Sequence, residues 1–172
     1  MTSTIALAII LNLTNAGGAP ASVVGRAQTE VVRLFRSIDV DVEWSRSSRS
    51  IVEDAPHIHV VIAPYESGFL QLRPHTVMGA AIYTDNGTAL AYVYYRRVQS
   101  EARQYGSSEA LVLACAIAHE VAHHLLPGRT HSTLGLMRAS WDRDDFNRAE
   151  RGQLRFSDEE AALIRARVSE GS

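Results

Sequence analysis

The sequence predicts an α+β domain in which a mixed, twisted five-stranded sheet with an antiparallel edge strand packs on one long helix. Three observations carry this reading. An apolar run, an amphipathic stretch and an alternating run follow one another over residues 4–44; two further apolar runs flank Asp85-Asn86-Gly87; and a capped helical segment runs from Ser107 or Ser108 to Leu126. A strand–helix–strand succession favours a right-handed crossover between parallel strands, whereas a tight turn makes its flanking strands antiparallel. The sheet is therefore mixed.

The first run, residues 4–13, is rich in Ile and Leu and ends in Asn15-Ala-Gly-Gly-Ala-Pro20, the signature of a buried strand closed by a turn. It is also apolar enough for a signal-peptide core with a cleavage site near Ala19 and Ala21, but no basic residue precedes it and the run is too short to span a bilayer. The strand reading is preferred, and with it a slight preference for a cytoplasmic location. Residues 21–37 place Val24, Ala27, Val31, Leu34 and Phe35 on one helical face behind Pro20. Val40, Val42 and Trp44 alternate with Asp39, Asp41 and Glu43, as in a strand with one buried face, before a polar loop at 45–50. Residues 57–63, closed by Pro64, form a third strand, and residues 78–84 and 90–95 form a hairpin. The helix that follows is stopped by Pro127 and Gly128. An irregular, charged stretch around Trp141 leads to a last helix opened by the capping box Ser157-Asp-Glu-Glu160.

At 172 residues and 46% hydrophobic composition, one domain spanning 1–172 is expected. Seventeen basic against nineteen acidic residues leave a net charge of -2, which gives no basic field for nucleic acid or anionic lipid. A monomer is expected. The single cysteine, Cys115, excludes an internal disulfide and a multi-thiolate zinc site, so metal chemistry rests on histidine and carboxylate. Two sequons, at Asn12 and Asn86, matter only in a eukaryotic secretory setting, and the first lies within a predicted strand.

The chemistry concentrates in His119-Glu-Val-Ala-His-His-Leu-Leu-Pro-Gly-Arg-Thr-His131. Residues four apart on a helix bring their Cβ atoms to roughly 5–6 Å, so His119 and His123 can share one tetrahedral ion. Glu120, turned about 100° round the helix, is free of that role and can take a proton from a metal-bound water. A catalytic zinc takes three protein ligands and leaves one position for water. Gly128 can reverse the chain in a left-handed conformation, letting His131 fold back as the third ligand.

This segment resembles the metzincin clan of zinc peptidases. Their pattern is a histidine, a glutamate, two residues, a histidine, a helix-ending glycine, a third histidine and a later methionine turn. His119, Glu120 and His123 match one for one, and Gly128 precedes His131 by the clan's interval. His131 follows His123 by eight positions where the clan has six, and Arg129 occupies the usual place, which implies a longer active-site helix. Met137 stands where the methionine turn would lie. The segment from His131 through Met137 to Trp141 looks like a group of short bacterial metzincin-like proteins. The resemblance implies one catalytic zinc, Glu120 as general base, and a peptide or protein substrate extended along the edge strand at residues 78–84. It does not extend to the tyrosine that some metzincins carry two residues after the methionine; here that residue is Ala139.

Two rival readings remain. A non-enzymatic zinc-binding or protein-interaction domain would not need Glu120. Another zinc hydrolase would draw its third ligand from Glu150, Glu159 or Glu160. The remaining histidines have blander roles: His124 on the surface or beside the site, His57 and His59 as a satisfied, partly exposed pair on one strand face, and His75 without evident function. Cys115 is expected in the core.

Overall fold

The computed structural model describes residues 7–45, 55–65, 78–128 and 131–170. Ten elements follow in order: β1 (Ala8–Asn15), α1 (Ala21–Arg36), β2 (Asp41–Ser45), β3 (His57–Ala63), β4 (Gly79–Tyr83), β5 (Ala89–Tyr94), α2 (Tyr95–Tyr105), α3 (Glu109–Leu125), α4 (Arg143–Glu150) and α5 (Asp158–Glu170). The predicted class holds: a five-stranded mixed sheet in the order β2-β1-β3-β5-β4. β1 pairs in parallel with both β2 and β3, β3 pairs in parallel with β5, and β4 lies antiparallel at one edge.

The opening apolar run thus forms an interior strand. Ile9, Ile10 and Leu11 are all fully buried, which fits a strand covered on both faces better than one alternating between core and water. After Asn15 the chain turns, with the Asn15 amide bridging both backbone groups of Ala19, and α1 begins behind Pro20. Its inward stripe is Val23, Ala27, Val31, Leu34 and Phe35, starting one residue before the Val24 expected. The hairpin turn has Gly87 N–H donating to Thr84 C=O at 2.8 Å.

Helix α3 is the axis of the molecule. It packs against α1, α2, α4, α5 and strands β3, β4 and β5, and of its seventeen residues only Glu109, Leu111 and His123 are not buried. Such a helix belongs inside. Ala110, Ala114, Ala116, Ala118 and Ala122 let its neighbours approach closely.

Two helices were not foreseen. α2 lies between β5 and the long helix α3, where no helix is expected from the sequence. Only Tyr95, Val98 and Ala102 are buried, so its apolar stripe is thin, although their spacing is helical. α4 replaces the irregular, solvated stretch expected at 142–151. Asp142 accepts from the N–H groups of Asp144 and Asp145, and the Asp145 carboxylate reaches back to the Asp142 N–H. This acidic capping box, with Phe146 and Ala149 facing the core, overrides the charged composition. Among the predicted features, His75, Arg129, residues 4–6 and most of the 45–50 loop lie outside the described residues.

Because Asp142 both caps α4 and pairs with Arg138, Asp142→Ala should lower the midpoint of urea denaturation.

Candidate metal centre

The last two turns of α3 present His119, Glu120 and His123 toward a cleft of about 140 Å³. His131, carried back by the chain beyond the helix, lines the same cleft. Helix α3 ends at Leu125; Leu126 is extended, and the left-handed residue is Gly128 at φ 75°, so the reversal lies two residues beyond the helix cap rather than in it.

His123 Nε2 lies 3.1 Å from His119 Nε2 and 3.3 Å from His131 Nε2. Ligand nitrogens on a tetrahedral zinc, with bonds of 2.0–2.1 Å, sit roughly 3.3–3.4 Å apart. The spacings of His123 to its two partners are close to the edges of one coordination tetrahedron, the three ligand atoms all lie within 4.8 Å of one another, and this is the one group of three His, Cys, Asp or Glu side chains suited to a metal among the described residues. The residues fit zinc chemically as well. His119 Nδ1 lies 2.9 Å from the Leu136 carbonyl, which can only accept, so Nδ1 carries the proton and Nε2 presents a bare lone pair. Burial holds the His119 imidazole's pKa down to about 4 and lowers that of His131. Neutral imidazoles are what a cation requires.

Glu120 is buried, and the space for its carboxylate comes from Gly79 on β4. A Cβ at Gly79 would stand 2.6 Å from Glu120 Cγ, 2.7 Å from its Oε1 and 2.4 Å from the Tyr92 carbonyl. Met78 to Ala81 line the cleft opposite α3. Tyr94 N–H donates to Met78 C=O, so in an antiparallel ladder the alternate residues Gly79 and Ala81 turn their main-chain groups away from β5, along the cleft.

The remaining wall is Arg138 to Trp141. Trp141 is buried with its ring edge-on to His119, centroids 5.7 Å apart. Arg138 Nη1 donates to Asp142 at 2.6 Å and Asp145 at 2.5 Å, tying this wall to the start of α4. Met137 is fully buried, and the carbonyl of its neighbour Leu136 contacts His119. Sequence reasoning missed Gly79, Leu136 and Trp141 as parts of the site. Their roles depend on pairing register and on a backbone carbonyl, neither of which has a residue-type signal.

The other candidates fall elsewhere. His124 Nε2 lies 2.9 Å from the Leu90 carbonyl, with its ring edge-on to Tyr83, and it fastens α3 to the hairpin. His59 Nε2 is 2.8 Å from Thr14 Oγ1, far from a third donor, and His57 is exposed. Cys115 is buried in the core, which pushes its thiol up to about 12. Glu150 accepts from Ser107 Oγ and Ser108 N–H at the opposite end of α3, so it cannot join His119 and His123. Glu159 is exposed, and Glu160 is engaged by Ser132 and Ser157. The structure thus groups His131, not a glutamate, with the helical pair.

Two outcomes are expected. Since His119 stays neutral in the fold down to about pH 4 but titrates near ~6.5 when unfolded, the unfolded state binds more protons in that window. Metal-free protein should therefore lose stability as pH falls from ~6.5 to ~4, by roughly 3 kcal/mol, and His119→Gln should remove most of that slope in pH-dependent denaturation. Because a Cβ at Gly79 would meet the Tyr92 carbonyl as well as Glu120, Gly79→Ala should disturb the β4–β5 pairing and lower the urea midpoint of unfolding besides displacing the Glu120 side chain.

No family model matches the chain, and no curated protein does. Among solved structures, a zinc-dependent peptidase from Methanocorpusculum labreanum (strain Z) is similar over 90% of this chain and 99% of its own, at 12% identity and a TM-score of 0.56. A Thermotoga maritima protein, TM1509, aligns over 95% of this chain and 87% of its own at 15% identity, but its TM-score of 0.37 is too low to carry an argument. The chain therefore shares its fold with a structure described as a zinc-dependent peptidase.

Proposed function

We propose that this chain is a zinc-dependent peptidase in which His119, His123 and His131 hold one metal ion and Glu120 is the general base. The observation that carries the reading is the convergence of three histidines, their ligand atoms within 4.8 Å of one another, with a buried glutamate on the same cleft. The fold shared with a zinc-dependent peptidase supports it.

Zinc bound there would supply Lewis-acid polarisation of a carbonyl and acidify a water molecule. Glu120 takes the proton of the attacking water and delivers it to the departing amine. The missing side chain at Gly79 keeps the path of the Glu120 carboxylate to the cleft open. The outward main-chain groups of Gly79 and Ala81 suit an extended peptide adding to the free edge of β4. Trp141 shields the cluster from water on the opposite side. A purely structural metal site would need no buried glutamate here, which argues against a non-enzymatic binding domain.

Elemental analysis after zinc reconstitution should find about one zinc per chain in the wild type and in Glu120→Gln, and far less in His131→Ala. Cleavage of a mixed peptide library should fall about 100-fold or more in Glu120→Gln. A wild type without zinc would overturn the metal assignment, and full cleavage by Glu120→Gln would overturn the base.

A further inference from the structure

His119 and His123 are fixed by a buried helix, but His131 is exposed and stands on the return loop. Something must hold it at the ligand position. The loop folds on itself through Ser132 N–H to Met137 C=O at 2.9 Å and is attached to the chain before α5 through Leu136 N–H to Arg155 C=O at 2.9 Å. Gly135, at φ 80°, permits that approach: a Cβ there would meet the Arg155 carbonyl at 2.8 Å. The second attachment is a side-chain bond. Ser132, next to His131, donates its hydroxyl to Glu160 Oε1.

Glu160 belongs to the capping box of α5: its Oε2 accepts from Ser157 N–H at 2.8 Å, and its own N–H donates to Ser157 Oγ at 3.2 Å. One carboxylate oxygen satisfies the cap. The other is used by the loop, and the whole carboxylate is buried, so its rotamer is fixed by the helix start.

We infer that Glu160, acting through Ser132, is a positioning residue for the third ligand, so that metal affinity depends on the docking of α5. This rests on the metal-centre reading above. Linkage makes the coupling reciprocal: a metal drawing His131 inward also tightens the start of α5.

The test is zinc affinity, measured by competition with a fluorescent chelator on the full chain. Ser132→Ala and Ser132→Val, which remove the hydroxyl, should each weaken zinc binding about tenfold or more, whereas Ser132→Thr, isosteric with Val but keeping the hydroxyl, should stay near wild type. In a His131→Ala background, Ser132→Ala should cause no further loss, because the bond acts through His131. Zinc should also slow amide exchange at the start of α5 in the wild type but not in Ser132→Ala. Equal losses with and without His131 would mean a general structural role and overturn the inference, as would unchanged affinity in Ser132→Ala and Ser132→Val. Absence of zinc from the wild type would instead overturn the metal centre itself, and this inference with it.

Discussion

The interior placement of α3 is the constraint on which the rest of the structure depends. A helix this apolar must be enclosed by sheet on one side and helices on the others, and enclosure removes water from whatever polar groups its last turns carry. Those groups are His119, Glu120, His123 and His124. Two of their contacts are to backbone carbonyls, His119 to Leu136 and His124 to Leu90, so the polar end of the helix is fastened to two neighbouring segments at once. Neither fastening uses a charge.

Several effects then favour a cation at one point. The carbonyl end of α3 carries the negative pole of its peptide dipoles, and His123 lies in that last turn. Burial keeps His119 unprotonated, and the Leu136 carbonyl fixes which nitrogen faces the cluster. The buried Trp141 ring lowers the local polarity beside His119, which strengthens electrostatic interactions there. The same cleft is open along a strand edge with outward main-chain groups. The three histidines, Glu120 and the edge of β4 thus share one groove, and the outer elements α4 and α5 hold its far wall and its return loop.

Much of this was legible in the residues. The strand and helix periods, the Asp-Asn-Gly turn, the Ser157–Glu160 capping box and the Pro127-Gly128 stop each act locally, and each appears where local rules put it. The i, i+4 histidines follow from helix geometry alone. α2 and α4 escaped notice because their apolar stripes are short and interrupted by Arg, Asp and Glu. Their stability comes from packing on α3 and, for α4, from a capping box built of two aspartates.

The sequence by itself determined the secondary structure that carries the chemistry, the pairing of His119 with His123, and the presence of Glu120 one position along the same turn. Those depend on spacing within a single helix, where geometry is fixed by hydrogen bonds between near neighbours. Tertiary structure decided which distant groups complete the site. His131 rather than Glu150 joins the pair because the chain returns at the C-terminal end of α3. Glu120 has its space because the β4–β5 register sets Gly79 against it, and His119 has its tautomer because the Leu136 carbonyl is carried there by a loop pinned to the start of α5. These contacts join residues far apart in the chain through backbone groups that every residue possesses, so no residue type announces them and only the folded arrangement selects them.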